Sequence, residues 1–390
     1  PSGDVPVHHG FEYYVGGVHK LPHEAGDSGG APGDENFTIR FDWRKRHRAT
    51  QPTSPYYDGD TGPSGWMTPV TRQDPDCYDC WAHAAIGLLE GHINLVLNRH
   101  RDIKLSVQDI LSCSGAGTCA GGSLYQTLRY LIEEGAVPNR CFPYVAENRS
   151  CGFACDDPML RVRVGKMLEI VTDRETAANE RVIKQALVQH GPLVFKRRSW
   201  WHYMVLVGFD RDSRTGRTVW IVKNSWGEQW GNKGFGRFTR PLSDMSPVYA
   251  VEGVQLRYRG RVVRSSCRDE DGDGYSVWGF GLPRPPNCPS RDGLPDCNDT
   301  SPNRGPMRAD GRCALIEDME PDRAGAGGQD GPAATQGTGV VDGGGGGAAG
   351  GLLVLIGAGW LASAIRLRRR NPRRQGSGPS QAGLRRWRPS

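Results

Sequence analysis

Cys80 is the residue around which this chain could do covalent chemistry. It stands in Gln73-Asp74-Pro75-Asp76-Cys77-Tyr78-Asp79-Cys80-Trp81, and after it apolar residues fall at Ala84, Ala85, Leu88, Leu89, Ile93, Val96 and Leu97. That spacing is one face of a helix, long enough to be buried and central. Asp79 reads as its N-cap, which puts Cys80 in the first turn. A thiol there sees the positive end of the helix dipole, which favours the thiolate, the form that attacks carbonyls. A Cys-x-x-Cys pair also serves redox exchange, metal binding or a disulfide framework, so Cys77 and Cys80 by themselves leave a thiol–disulfide oxidoreductase open.

Three other stretches bear on that choice. His202 opens the run His202-Tyr203-Met204-Val205-Leu206-Val207-Gly208, Asn224 sits in Lys223-Asn224-Ser225-Trp226-Gly227, and Gln73 lies just upstream of the cysteine. A thiolate nucleophile needs a base within hydrogen-bond reach and a group to orient that base. It also needs donors for the oxyanion of a tetrahedral intermediate. In that scheme Cys80 attacks, His202 pairs with it and protonates the leaving amine, and Asn224 orients the imidazole. The Gln73 side-chain amide and the Cys80 backbone N–H hold the oxyanion. His83, one turn after Cys80, occupies a helix-packing position instead. His190 ends a later helix, where a positive charge suits the dipole.

The elements that must position these groups follow from periodicity and caps. Leu105-Ser106-Val107-Gln108-Asp109 predicts a second helix capped by Ser106. Cys119-Ala120-Gly121-Gly122 is a tight turn into a helix carrying Leu124, Leu128, Leu131 and Ile132, which stops at Gly135. Residues 175–190 form a further helix ended by Gly191-Pro192. Strands follow at 193–195, 203–209 and 218–223, with a turn at 212–216 between the last two. Helices early and strands late give an α+β protein with two unlike halves. Phe41-Asp42-Trp43-Arg44 begins the folded domain, residues 1–40 are an irregular extension, and 47–65 reads as a surface loop.

Composition narrows the class. The 54 Gly and 27 Pro make up about a fifth of the 390 residues, against roughly 12% in average proteins, so much of the chain is not packed core. The net charge of +6 includes nine Arg and no acid in residues 366–390, which leaves −3 on residues 1–365. A nucleic-acid footprint would be a basic face on a folded domain, and none is implied. Eleven cysteines, seven between 77 and 155 and four beyond 266, point to an oxidising, extracytoplasmic compartment. The odd count in the first group leaves one thiol unpaired.

Taken in order, the motifs resemble those of the papain family of cysteine peptidases over residues 41–258. They are Asp42-Trp43-Arg44, Thr68-Pro69-Val70, Cys77-x-x-Cys80-Trp81-Ala82, Leu105-Ser106-x-Gln108, Cys119-x-Gly121-Gly122, Phe142-Pro143-Tyr144, His202 and Asn224-Ser225-Trp226-Gly227 through Trp230-Gly231. The resemblance implies a papain-like fold of two subdomains. A helical left half would carry Cys80, and a β-barrel-like right half would carry His202 and Asn224. It implies an endopeptidase that needs no cofactor for catalysis and binds an extended polypeptide in the cleft between the halves. Gly121, Gly122, Trp201 and Trp226 would contact that substrate, with the Gly122 backbone pairing to it and Trp226 shielding the His202–Asn224 bond. It also implies the disulfides Cys77–Cys119 and Cys113–Cys151, leaving Cys141 and Cys155 to pair and Cys80 free. A catalytically inactive module that binds peptides in the same cleft is the alternative.

Four departures from the family pattern bear on detail. Gln73 precedes Cys80 by seven positions rather than six, which predicts a shifted oxyanion hole. Tyr78-Asp79 replaces a small pair, and carboxylates at Asp76 and Asp79 oppose the thiolate. Only ten residues, 192 through 201, precede His202, where Lys196-Arg197-Arg198-Ser199-Trp200-Trp201 stands for a longer excursion. That predicts an open cleft with altered selection near its second pocket. No long helical inhibitory segment is legible upstream of Phe41.

The last third differs in kind. Asp269-Glu270-Asp271-Gly272-Asp273-Gly274-Tyr275 places carboxylates at alternate positions, as in the first half of a calcium loop, with Asp269, Asp271 and Asp273 as ligands. The twelfth position is Phe280, so the loop is not a complete EF-hand, and Pro295-Asp296-Cys297-Asn298-Asp299 could complete the shell. The segment resembles Asp- and Cys-rich calcium repeats of bacterial surface proteins, and Cys267, Cys288, Cys297 and Cys313 would staple it in place of an apolar core. Ca²⁺ is therefore expected in a module at 265–316, followed by a Gly-rich linker at 317–342. Residues 343–365 are uncharged and long enough to span a bilayer, though nine of them are Gly. The Arg-rich tail at 366–390 would stay in the cytoplasm. This layout resembles C-terminal sorting anchors of Gram-negative surface proteins. It predicts a monomeric, single-pass protein with its catalytic domain outside the membrane, with release by cleavage at the anchor as a variant.

Overall fold

The structure is a computed structural model, and it describes residues 12–14, 37–57, 64–101, 103–170, 177–239, 241–308 and 310–318. The chain divides into a compact unit over residues 1–326 and a second over 327–390. The second unit lies outside the described residues, as do the span, the Arg-rich tail and all of the expected linker except residues 317 and 318. No helix among the described residues is long and apolar enough to cross a membrane.

The helices are α1 (Cys80–Leu97), α2 (Val107–Cys113), α3 (Leu124–Glu133) and α4 (Ala177–His190). The first strands are β1 (Glu12–Tyr14), β2 (Phe41–Asp42), β3 (Gly117–Thr118), β4 (Gly121–Gly122), β5 (Leu160–Arg163) and β6 (Lys166–Ile170). Then come β7 (Leu193–Arg197), β8 (His202–Arg211), β9 (Thr218–Lys223), β10 (Phe235–Phe238), β11 (Met245–Glu252), β12 (Gln255–Tyr258), β13 (Arg261–Val262), β14 (Arg304–Met307) and β15 (Cys313–Leu315). Helices dominate early and strands late, the α+β order read from periodicity.

Helix α1 is the spine of the unit. Its apolar face predicts burial on one side, yet all eighteen residues are buried, including Glu90, His92 and Asn94. Those polar groups are satisfied inside, which is what makes their burial tolerable. Asn94 donates to the Trp66 carbonyl at 3.0 Å, and Glu90 accepts from the Leu105 N–H at 2.9 Å. Lys223 Nζ donates to Thr68 Oγ1 at 2.6 Å, and Thr68 in turn donates to Glu90 Oε2 at 2.6 Å. That chain ties α1 to the end of β9, one residue before Asn224. Asn98 closes α1 in the left-handed conformation (φ 49°), which asparagine tolerates better than most residues.

The sheet runs β1-β6-β11-β7-β8-β9-β10, with β2 paired to β8. Its pairings are antiparallel except β1 with β6. Among the described residues no pairing joins β1 to β10, the two ends of this path. The strand β1 is also an exception to the irregular reading of residues 1–40.

The Asp- and Cys-rich segment packs onto the far end of the same helix. The Phe280 N–H donates to the Leu95 carbonyl at 3.0 Å, and the Phe280 ring meets Trp43 edge-on at 4.9 Å. The expected surface loop at 47–65 is corrected in part: residues 58–63 lie outside the described residues, and Gln51, Pro52, Thr53 and Pro55 are exposed as expected. His47, Ser54 and Tyr56 are buried because this segment lies over them. The Asp299 N–H donates to His47 Nδ1 at 3.0 Å, and the Tyr56 hydroxyl donates to Asp299 Oδ2. The segment also has a small apolar interior of its own, with Tyr275, Val277, Trp278 and Ala314 buried.

Five disulfides close loops in this unit: Cys77–Cys119, Cys113–Cys151, Cys141–Cys155, Cys267–Cys288 and Cys297–Cys313. The three pairings implied for the first group are those found, and Cys80 is free. Such a set suits an oxidising setting, extracellular or lysosomal.

Candidate active site

Cys80 is the first residue of α1 and is 7% exposed. Its loop is held by Cys77–Cys119, whose 42-residue separation is worth about 4 kcal/mol of loop-closure entropy. The cap differs from the expectation. Asp79 occupies the N-cap position, but its side chain makes no capping hydrogen bond. It accepts instead from the Tyr144 hydroxyl at 2.8 Å, and its other oxygen faces His83 Nε2 at 3.6 Å. Burial outweighs these partners and raises the Asp79 carboxyl to about 6.

The expected depression of the thiol is also corrected. Burial raises the Cys80 pKa and Asp79 adds to the rise, while the backbone N–H groups of Tyr203 and Trp81 and the Lys196 ammonium oppose it. The backbone of Tyr203, the residue after His202, is thus close enough to act on the sulfur. This brings the start of α1 to the start of β8 across 122 positions of sequence.

His202 is buried, and its Nε2–H donates to Asn224 Oδ1 at 2.6 Å. The same oxygen accepts from the Ser225 N–H at 2.8 Å, so it is fixed from two sides. With Nε2 committed to Asn224, Nδ1 is the ring nitrogen left to exchange a proton with a nucleophile. Burial lowers the His202 pKa to about 4, with Asn224 opposing the shift and Arg197 reinforcing it. The Trp226 ring lies 4.6 Å from the imidazole and stacks on Trp200 at 5.5 Å.

Gln73 is held from both ends. Its Oε1 accepts from Ser225 Oγ at 2.9 Å, and its Nε2 donates to the Cys77 carbonyl at 3.2 Å. One Nε2 hydrogen is thus used inside the loop and a second remains. The Cys80 N–H belongs to the first turn, where no helix carbonyl can satisfy it. Gly121 and Gly122 form β4, and a Cβ on Gly122 would lie 2.3 Å from the Trp81 ring, so only glycine lets this edge approach α1 so closely. Trp201 is 79% exposed at the β7–β8 turn, in the left-handed region (φ 51°). His83 is the packing histidine it was read to be. It hydrogen-bonds Thr71 Oγ1 at 2.8 Å, and burial lowers its pKa to about 3.

Two features around His202 escape a reading of single motifs. The excursion before His202 is reduced to a four-residue turn, and register pairs Arg197 with His202 and Lys196 with Tyr203. The Tyr203 phenol is within electrostatic reach of Cys80 and of the backbone N–H of Leu124 at the start of α3. Counting back across the turn from His202 would have found both. Carboxylate oxygens of Asp269, Asp271 and Asp273, one from each, lie within 4.8 Å of one another, as do those of Asp271, Asp296 and Asp299.

The sequence model described as papain family cysteine protease matches residues 56–200 and 194–251, together just over half of the chain. The two stretches meet at the shortened β7–β8 turn. Among curated relatives, cathepsin M of Mus musculus is 31% identical over 199 residues, covering 45% of this chain and 58% of its own length. Testin-2 of Rattus norvegicus is 30% identical over 203 residues, covering 46% and 59%. The chain thus spans under two thirds of the relatives it matches. A solved structure of the bromelain protease from Ananas comosus is 22% identical with a TM-score of 0.42, covering 55% of this chain and 98% of that one. By the extent of the family match, the chain belongs to the papain family of cysteine proteases.

Proposed function

We propose that the chain is a cysteine endopeptidase in which Cys80, His202 and Asn224 act together on extracytoplasmic polypeptides. The observation that carries this reading is the 2.6 Å bond from His202 Nε2 to Asn224 Oδ1, beside the one free thiol among the described residues. The thiol proton passes to His202 Nδ1 as the sulfur attacks the scissile carbonyl. Burial disfavours either charge alone, but a thiolate and an imidazolium side by side offset each other. The Cys80 N–H and the second Gln73 Nε2 hydrogen receive the oxyanion. His202 returns its proton to the amine, which leaves a thioester. Water then adds, His202 taking its proton, and the acid departs with Cys80 restored. Gly122 pairs with the peptide backbone, and Trp226 and Trp201 line the far wall.

The test is labelling by a thiol-directed epoxide together with hydrolysis of a denatured protein substrate. Both are expected in the full chain and absent in Cys80→Ala. Labelling without hydrolysis supports the second reading, a peptide-binding cleft without turnover. On its side stands the Gln73 amide, which already donates to the Cys77 carbonyl. The oxidoreductase alternative loses its partner sulfur, since Cys77 is bonded to Cys119.

The Asp-rich segment is read as a structural Ca²⁺ site. Asp273 Oδ2 and Asp296 Oδ2 are buried without hydrogen-bond partners, a costly state that a divalent cation would relieve. Asp269, Asp271, Asp273, Asp296 and Asp299 are the oxygen donors that would hold it. The ion would supply charge balance and cross-linking, not catalysis. The peptidase part at 41–258, the calcium module at 265–316, a monomeric state and anchoring through 343–365 complete the reading, the last resting on sequence pattern.

A further inference from the structure

The β7–β8 hairpin puts an uncompensated cation on the cleft wall. Lys196 is half-buried, with Nζ 4.1 Å from the centre of the Trp201 ring and 5.7 Å from that of Tyr203. Among the described residues no carboxylate lies within ion-pair distance of it. Its neighbour Arg197 differs, being bonded to Asp244 at 3.3 Å. Two aromatic faces hold an ammonium in place without neutralising it, so its charge remains for a ligand.

The position of that charge is set by Tyr203. Lys196 and Tyr203 are directly paired across the hairpin and so share one face of it. Tyr203 reaches from there to the Leu124 N–H, two residues beyond the Gly122 edge of β4. Its ring therefore floors the space between the glycine edge and the β7–β8 hairpin. A pocket floored by a phenol and rimmed by an ammonium is too shallow and too charged to favour a large aliphatic side chain.

We propose that this cleft selects peptides carrying Asp or Glu on the residue whose main chain pairs with Gly122, with Lys196 Nζ as the counter-charge and Tyr203 as the floor. The inference rests on the peptidase reading for where the peptide lies, but selection itself needs no turnover. The influence of Lys196 on the Cys80 thiol agrees with its place beside the nucleophile.

The test is binding of a positional set of fluorescent peptides to the full-length Cys80→Ala chain, read by anisotropy. At one position Glu is expected to bind at least about tenfold more tightly than Gln, the scale of a half-buried charge-assisted contact. That ratio should fall to near one in Lys196→Gln and reverse, with Lys above Gln, in Lys196→Glu. Tyr203→Gly should raise affinity for Leu at the same position. Equal binding of Glu and Gln at every position, or a preference for Glu that survives Lys196→Gln, overturns the proposal. Epoxide labelling of the unmodified chain separates the two readings. Labelling without acid selection removes only this inference, and acid selection without labelling removes only the peptidase.

Discussion

The Tyr144 hydroxyl donates to Asp79 Oδ2 across 2.8 Å, so the carboxylate preceding Cys80 is engaged by a side chain and not by the helix it was expected to cap. A buried anion then sits next to Cys80 and opposes the thiolate. The Asp79 carboxyl titrates near 6, above its ordinary value, so the opposition is present above about pH 6 and fades below it. Asp79→Asn keeps an acceptor for Tyr144 and removes the charge. Alkylation of Cys80 should be faster in this variant above pH 6 and converge with the parent below pH 5. The sign for stability is the same. A carboxyl raised by burial costs stability as pH rises through the interval from about 4 to 6, so Asp79→Asn should melt higher than the parent at pH 7. Alkylation rates that differ equally at pH 4.5 and pH 7.5 would contradict this placement of the charge.

Asn224 is fixed by the Ser225 N–H and by its place after β9, and in the proposed mechanism it holds the imidazole. Asn224→Ala leaves His202 buried but free to turn under Trp226. Turnover should fall by about 10- to 100-fold with little change in melting temperature, since the loss is one of orientation. A drop in KM-side binding with turnover intact would place Asn224 in substrate contact instead.

Much of this arrangement is legible in the chain because the constraints are local. The period of α1, the Ser106 cap, which accepts from the Asp109 N–H at 2.8 Å, and the stop at Gly135 (φ 81°) are set by neighbouring residues. The proposed grouping of Cys80, His202 and Asn224 is not local, and only motif order suggests it, since no periodicity relates positions 80 and 202. The failures share a cause, which is a distant partner competing for a side chain. Asp79 is a sound cap by type, yet Tyr144, 65 positions away, takes its oxygen. Residues 47–57 look like surface by composition, yet Asp299 reaches His47 and Tyr56 from more than 240 positions on.

Asp244 determines whether the shortened turn keeps its shape. It accepts from the Ser199 N–H at 2.6 Å and from Ser199 Oγ at 2.8 Å, and it pairs with the buried Arg197 guanidinium, which itself lies 3.4 Å from the Trp200 ring. Asp244→Ala removes the carboxylate from a buried cation and three anchors from one turn. A loss of about 2–4 kcal/mol in unfolding free energy is expected, measured by denaturant titration. The Trp200–Trp226 stack should loosen with it, so tryptophan fluorescence should shift before global unfolding.

Asp296 offers a sign reversal that a solvated acidic linker would not show. It is 1% exposed, one oxygen lacks a partner, and burial beside Asp273, Asp271 and Asp299 raises its carboxyl to about 8. Without a cation the neighbouring carboxylates hold Asp296 protonated at pH 7, and the proton it must take up on folding costs stability, so Asp296→Asn, already neutral, should raise the melting temperature of the metal-free chain at that pH. With saturating Ca²⁺ the order should invert, because the parent gains binding free energy that the variant has partly lost. Asp299 meets His47 and Tyr56, and Phe280 meets Trp43 and the end of α1. The calcium-dependent shift should therefore appear in the unfolding of the whole unit and not in a separate early transition. Calcium titration by differential scanning calorimetry on the full chain decides it. Parallel melting curves for parent and Asp296→Asn at every calcium concentration would mean that these carboxylates hold no ion.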